Sequence, residues 1–475
     1  MKTYDLIIIG GGSAGYAAAR TAAGLNVSVA VVEGAREVGG LCILRGCMPT
    51  KALLESAHRL HEIRRAGEFG LSVSGARADW GKIQRRKDAL VADFAAYRRE
   101  QLERGKFAFI RGTAEFVDAH TLRVRGKKTV SVSGKALVIA TGSTVSALDL
   151  PGLRATGFIT SDGALTLAKL PKSLAVLGGG AVALEFAQCF QRLGVRTTLI
   201  QRSGRVLSSH DADVAEALMV ALRREGLVAR LGTELLEVKK SARGKQVVFR
   251  QNGRTLTVTA EEILYALGRV PNVTALTLTN AGVQLDGQRV KVNRALATSQ
   301  PHIFAAGDVC GPYEVVHLAV QQGEIVARNA VRFLRGAAAR ERMDYRLKME
   351  IIFTSPEVAT IGLSEQEAVD CGRKVLVAKY PFNDHGKSMI MGADAGFVKI
   401  IAAADGEIVG AQIVGPRASE LLHEFAAAMH CRMTVGEFLR IPHYHPTLAE
   451  IVTYPAEDIF LQRGHGGIGE GGRVD

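Results

Sequence analysis

The sequence predicts an α/β protein with parallel sheets, and three observations carry that prediction. One strand–turn–helix–strand pattern occurs twice, three further apolar strands end in glycine turns, and the texture turns antiparallel near residue 346. Alternating β and α segments predict parallel sheets with helices packed on their faces. At 475 residues and 47% apolar content the chain can bury several cores, roughly three domains by length.

The first copy is YDLIIIGGGSAGYAAARTAAGLNVSVAVVE, residues 4–33. GGGSAG at 10–15 places G-x-G-x-x-G between a strand and a helix. Gly10 permits the tight turn, Gly12 lets backbone approach a pyrophosphate, and Gly15 lets helix meet strand. Ser13 falls in the same turn, and Glu33, closing the second strand, can accept hydrogen bonds from a ribose diol. The second copy, KSLAVLGGGAVALEFAQCFQRLGVRTTLIQ, spans 172–201, with Gly178, Gly180 and Ala183 in the three motif places. In both copies 23 residues separate the first motif glycine from the strand end, Gly10 to Glu33 and Gly178 to Gln201. The acid is replaced there by Gln201, and Arg202 and Arg205 follow. A carboxylate would repel a 2′-phosphate, whereas arginines would pair with it, so the second site is expected to prefer NADP(H) to NAD(H). The bland reading of the two arginines is surface charge.

KALVIATGSTVSALDLPG (135–152), EEILYALGRVPN (261–272) and PHIFAAGDVCG (301–311) are the three strands that end in glycine turns, where open sheets place ligands. IIFTSPEVATIGLS, KVLVAKYPF, GFVKIIAAADGEIVGAQIVG and a helix around 419–431 predict a separate α+β domain. The tail, 463–475, is glycine-rich and expected to be flexible. Glycine is in surplus, 52 residues or about 11% against a usual ~7%. With 12 prolines and no G-X-Y period, this is neither collagen nor low-complexity disorder.

Sixty Lys and Arg against 47 Asp and Glu give +13, which suits nucleic acid, an anionic surface or phosphorylated ligands. Aromatics at 6% with one Trp argue against a stacking platform for single strands. Part of the basic surplus, thirteen basic against six acidic side chains, falls at 192–254 beside the second nucleotide motif. Six cysteines are too few for a secreted disulfide scaffold. The apolar LIII run stops at GGGSAG and no apolar run approaches the ~18 residues of a membrane span, so a cytoplasmic protein is expected.

GGLCILRGCMPTK (39–51) holds two cysteines five apart, which admit chance, a metal pair or a redox pair. A regular helix rises about 7.5 Å over five residues, beyond the ~7 Å Cα limit of a disulfide. A Cys42–Cys47 bridge therefore needs Cys42 off the helix, at its entry, with Gly39, Gly40 and Gly46 supplying the freedom. Cys47 near a helix N-terminus would gain stabilisation of its thiolate. No second ligand pair lies nearby, and no metal site is expected. In PHYHPTLAEI (442–451), His445 and, five residues on, Glu450 make a candidate base with an orienting carboxylate. Spacing alone equally admits a structural pair.

Taken in order, GGGSAG, the CxxxxC of GCMPTK, ATGS (140–143), GGGAVALEFA (178–187), ALGRVPN (266–272), FAAGDV (304–309), FTSPEVATIG (353–362) and HPTLAE (445–450) span nearly the whole chain. Together they resemble the class I pyridine nucleotide–disulfide oxidoreductases, the group of dihydrolipoamide dehydrogenase, glutathione reductase and mercuric reductase. The resemblance implies two Rossmann-like dinucleotide-binding domains, for FAD (1–150 and 272–345) and NAD(P) (151–271), with a C-terminal α+β dimerisation domain (346–462). It places FAD at Gly10, Gly12, Ser13, Gly15, Glu33, Gly40, Cys42, Lys51, Ala114, Thr141, Gly142, Asp308 and Ala319. It places the nicotinamide nucleotide at Gly178, Gly180, Ala183, Arg202, Arg205 and Gly268.

By the family's pattern Cys42 and Cys47 form a redox disulfide. Cys47 is then the thiolate that faces the flavin, and Cys42 the interchange thiol. Lys51 and Glu185 correspond to an ion pair beside the two rings. His445, steadied by Glu450, would move the substrate proton and would come from the partner of a homodimer. The implied substrate is a small disulfide or dithiol such as lipoamide, alone or on a lipoyl-bearing protein, with no nucleic-acid or membrane partner. The alternative is a mercuric-reductase-like NADPH-dependent reductase of metal ions, quinones or oxygen on the same core. Leu41 and Leu44 replace the family's usual Thr and Asn, and Arg45 adds a cation beside Gly46. The chain lacks the terminal cysteine pair of mercuric reductases yet keeps the histidine that they lack.

Overall fold

The computed structural model describes residues 1–464, so the glycine-rich tail expected from 463 lies, beyond Gly464, outside the described residues. Strand β1 (Lys2–Ile9) pairs in parallel with β2 (Val29–Glu33) across the helix α1 (Ser13–Gly24). The second half of β1 and all of β2 are buried, as strands covered on both faces must be. The chain continues through α2 (Gly40–Arg45), α3 (Cys47–Arg64) and α4 (Trp80–Glu103) to β3 (Ala108–Arg111), β4 (Thr113–Phe116), β5 (Thr121–Arg125) and β6 (Thr129–Ile139). Their sheet has the order β3-β2-β1-β6-β5-β4, with β6 parallel to β1 and antiparallel to β5.

After β7 (Ser143–Val145), α5 (Leu153–Thr156) and α6 (Ser161–Leu165), the second copy forms β8 (Ser173–Leu177), α7 (Ala181–Arg192) and β9 (Arg196–Gln201). Helix α8 (Ala212–Arg224), β10 (Val228–Leu231), the antiparallel trio β11 (Thr233–Ser241), β12 (Gly244–Gln251) and β13 (Arg254–Ala260), and β14 (Glu262–Tyr265) complete this unit. Its parallel sheet runs β10-β9-β8-β14. The duplication extends to backbone detail. Gly10 (φ +107°) and Gly178 (φ +119°) both lie where L side chains rarely go, and a Cβ on either would meet the carbonyl oxygen of Ala140 or Ala266 at 2.3 Å.

Strand β15 (Arg269–Pro271) pairs antiparallel with β7, closing the excursion from the first sheet. Past β16 (Leu285–Asp286) and β17 (Arg289–Val290), β18 (Ile303–Ala305) rejoins that sheet parallel to β6, and α9 (Val316–Leu334) packs along α1.

The remainder is a five-stranded antiparallel sheet with helices. In chain order it comprises β19 (Met349–Ile352), β20 (Glu357–Gly362), α10 (Glu365–Asp370), β21 (Val375–Pro381), α11 (Gly386–Ile390), β22 (Phe397–Ala403), β23 (Ile408–Gly415), α12 (Ala418–His430), α13 (Val435–Phe438) and α14 (Thr453–Gln462). Its sheet order is β19-β20-β23-β22-β21, and Ile361, Ile400, Ile413, Phe425 and Phe438 meet in its core. Lys399 of β22 is 2% exposed at the side chain and ties this unit to the second nucleotide fold. Its Nζ lies 3.0 Å from Asp211, 2.9 Å from Asp213 and 3.5 Å from Glu365. Among the described residues no helix is long and apolar enough to cross a membrane.

Candidate active site

A cleft of about 560 Å³ opens where the first sheet's strands end. Gly10, Gly12, Ser13, Glu33, Gly40, Ala114, Thr141, Gly142, Asp308 and Ala319 all line it, together with Cys42 and Cys47. Gly15 lies beneath: a Cβ there would stand 1.8 Å from the Gly10 carbonyl oxygen, so helix and strand touch. A Cβ on Gly12 would meet nothing within 4 Å, leaving the start of α1 open for an anion. Glu33 is 8% exposed; Oε2 accepts the Gly11 N–H at 2.8 Å and Oε1 the Ala35 N–H at 2.7 Å. Each oxygen keeps a lone pair for a diol. Farther along, Ser143 Oγ donates to Asp308 Oδ2 at 2.7 Å, while Arg269 Nε donates to Ser143 Oγ at 2.8 Å. Ser143 and Arg269 thereby orient Asp308, a support that no motif spacing discloses. Open backbone at a helix start, with two carboxylates, Glu33 and Asp308, lining the same cleft, fits FAD.

Cys42 and Cys47 are free thiols in this structure, both partly buried. Cys42 lies off the helix that Cys47 heads and just before its start, as a bridge between the two requires. It lies within α2, a six-residue helix of its own, and the break falls at Gly46 (φ −125°, ψ −115°). A side chain at Gly46 would put its Cβ 3.0 Å from the Leu41 carbonyl oxygen, so the sharp turn needs glycine. The Cys42 thiol hydrogen-bonds to Cys47 at the head of α3, which lowers the Cys47 pKa to about 7; the Lys51 charge adds to this against burial. The same bond and burial push the Cys42 thiol up. One sulfur is therefore poised as a thiolate and the other as its donor.

Lys51 Nζ reaches Glu185 at 3.0 Å and 2.9 Å, joining α3 to α7 across the two nucleotide folds. The Glu185 side chain is 5% exposed. Its Oε1 also accepts the Phe353 N–H at 2.9 Å, and Lys51 Nζ sits 4.6 Å from the centroid of the Phe353 ring. Phe353, from the third unit, was not in the sequence-derived set. Arg45 and Asp162 of α6 both line the cleft, Arg45 Nη1 lying 3.6 Å from the Asp162 carboxylate, and Leu44 packs beside Gly39.

On the second fold a Cβ at Gly180 would meet nothing within 4 Å, as at Gly12, and Ala183 is fully buried at the third place. Gly268 (φ +108°) turns the chain between β14 and β15. Gln201 folds against Gly179. Arg202 is exposed and makes no hydrogen bond or ion pair to the described residues. The structure separates it from Arg205, whose Nη2 donates to the carbonyl oxygens of Ser208 and His210 at 3.2 Å and 3.1 Å. Arg205 is thus committed to its own loop in this structure, whereas Arg202 is free to take an anion.

His445 and Glu450 do come together, Nδ1 to Oε2 at 2.8 Å, with the His445 side chain 79% exposed and Glu450 buried. Neither lines the cleft that holds the two cysteines. Sequence spacing missed a third member of the pair: His385 Nε2 approaches Glu450 Oε1 at 3.2 Å.

Comparisons with known proteins agree with this arrangement. Residues 4–323 match the family model "Pyridine nucleotide-disulphide oxidoreductase", and residues 349–456 match its dimerisation domain. The chain is 36% identical to the dihydrolipoyl dehydrogenase of Thermus scotoductus, over 98% of this chain and 99% of that one. It is 33% identical to a dihydrolipoyl dehydrogenase of Bacillus subtilis, over 94% and 96%. Among solved structures, LpdA from Mycobacterium tuberculosis superposes with a TM-score of 0.86 at 27% identity, covering 97% of this chain and 100% of that one. A Cu(II) complex of the HOCl-induced flavoprotein disulfide reductase RclA from Escherichia coli gives 0.83 at 25%, covering 97% and 100%. The protein belongs to the pyridine nucleotide–disulfide oxidoreductases, as an FAD-dependent enzyme with two nucleotide folds and a dimerisation domain.

Proposed function

We propose that the protein is an NADPH-preferring disulfide reductase of dihydrolipoamide dehydrogenase type, acting on lipoamide or another small disulfide as a homodimer. The observation that carries this reading is the cysteine pair lining the FAD cleft, with Cys47 at the head of α3, its pKa lowered to about 7, and the Cys42 thiol pushed up. FAD, when bound, supplies the two-electron link between the nicotinamide nucleotide and the Cys42–Cys47 disulfide. The Lys51–Glu185 pair keeps a positive charge beside Cys47 and anchors it through a buried carboxylate.

In the reduced enzyme Cys42 must lose its proton before it can attack, because its pKa is raised. His445 of the second subunit is the base. Cys42 Sγ attacks one sulfur of the substrate, forming a mixed disulfide and releasing the other sulfur, which takes the proton from the imidazole. The Cys47 thiolate then attacks Cys42 Sγ, regenerating the Cys42–Cys47 disulfide and expelling the second substrate thiolate. Exposure of His445 and burial of Glu450 suit a histidine offered across a subunit contact.

The NADPH preference rests on Arg202, unpaired beside Gln201 at the end of β9. An Arg202→Ala variant is expected to lose about tenfold in kcat/KM for NADPH, as for one charge-assisted contact of about 1.5 kcal/mol. Its kcat/KM for NADH should be unchanged. Steady-state kinetics with both nucleotides and lipoamide check this; better use of NADH by the parent enzyme would overturn the preference.

A second reading takes a metal ion as electron acceptor, supported by the likeness to the RclA structure solved as a Cu(II) complex. That reading needs no thiol proton relay, so turnover would survive loss of His445.

A further inference from the structure

Glu450 holds two imidazoles. Its Oε2 meets His445 Nδ1 at 2.8 Å, and its Oε1 meets His385 Nε2 at 3.2 Å. On the far side, His385 Nδ1 lies 2.7 Å from Ser388 Oγ in the middle of α11. His385 is 1% exposed and Ser388 is fully buried, and the edge of His385 is braced by the Tyr454 ring, 6.1 Å away at 72°. Four polar side chains thus run in a line from the domain interior to the exposed imidazole.

The line satisfies itself in only one direction. A neutral imidazole has one N–H and one bare nitrogen. Glu450 can only accept, so His385 must present Nε2–H to it, and Nδ1 must then accept the Ser388 hydroxyl. Both carboxylate oxygens are therefore engaged by N–H donors, and the plane of the carboxylate is fixed at each end. With one partner alone, the carboxylate would turn about its terminal torsion, whose minimum is broad. His445 has no other hydrogen bond to the described residues, so its direction would follow.

We propose that His385 is the positioning residue of the proton relay, setting through Glu450 the tautomer and direction of His445. The proposal rests on the reading of His445 as the proton carrier given above. It adds that this chain draws on a third group, sixty residues upstream of His445, to hold the carrier in place.

The test uses the FAD-loaded full-length enzyme with NADPH and lipoamide, comparing His385→Leu, His385→Gln and His385→Asn. The Leu variant should lose about ten- to hundredfold in kcat, the usual effect of removing an orienting partner, with KM for lipoamide within about twofold. The Gln amide reaches as far as Nε2 and should restore most of kcat, whereas the shorter Asn should not. Equal kcat for Gln and Asn would overturn the proposal even if the Leu variant fails to fold. So would a Leu variant with the parent's kcat, or one that loses activity through KM alone. His445→Ala is measured alongside. If it keeps full kcat, the relay reading itself fails; if it is slow while His385→Leu is fast, only the role of His385 fails.

Discussion

Cys47→Ser is expected to abolish lipoamide turnover, a loss of more than about a thousandfold, because the variant can neither hold the disulfide nor expel the second product thiolate. Its neighbour explains why the position is sensitive. Cys47 has a pKa near 7 because Cys42 donates to it and Lys51 stands close, so the thiolate persists at neutral pH. As pH falls below 7 the sulfur protonates and its nucleophilicity is lost; above 7 it is fully available. Iodoacetamide modification of Cys47 in the reduced protein should therefore rise through a midpoint near pH 7. Cys42→Ala should move that midpoint up by removing the largest stabilising contact. An ordinary thiol midpoint in the parent enzyme, or full lipoamide activity in Cys47→Ser, would count against the proposed chemistry.

His445→Ala should reduce lipoamide turnover by about 10²–10⁴-fold, the range of positioned acid–base groups. The more telling result comes from mixing this variant with Cys42→Ser. If each site takes its cysteines from one subunit and its histidine from the other, a mixed dimer contains one intact site and one doubly defective site. Random reassortment then restores about a quarter of parental activity. If His445 served the cysteines of its own chain, every site would lack one member and nothing would return. The placement of His445 and Glu450 outside the cysteine cleft of their own chain favours the first outcome.

Much of this was legible in the sequence, for reasons that lie in backbone sterics. The turn at Gly10 and its copy at Gly178 needs positive φ beside a neighbouring strand, so glycine recurs at fixed spacing and reports the fold. Glu33 was legible from its place at the end of the second strand, whereas Asp308, Lys51 and Glu185 were accessible only because whole motifs could be matched. Contacts between residues remote in sequence were not legible. His385 and Glu450 are 65 residues apart and belong to different turns, and nothing local to either signals the other. The same holds for Lys399 and Asp211, which lie 188 residues apart. Helix α2 is too short for periodicity to reveal, so the sequence places Cys42 before the Cys47 helix without showing the short helix of its own that carries it. Arg205 looked equivalent to Arg202 by spacing, and only the folded loop shows its guanidinium bound to carbonyl oxygens.

The central claim is that electrons from the nicotinamide nucleotide arrive at Cys42 and Cys47, and alkylation mapped by mass spectrometry tests it most directly. The air-oxidised, FAD-loaded enzyme is treated with iodoacetamide before and after one equivalent of NADPH under anaerobic conditions. Exposed Cys371 and Cys431 serve as controls that label in both samples, and buried Cys189 and Cys310 as controls that label in neither. The expected result is protection of Cys42 and Cys47 before NADPH and alkylation of the pair afterwards, Cys47 first because its thiolate forms near pH 7. Labelling at these two positions that is already complete before NADPH, or that stays absent after it, would contradict the claim.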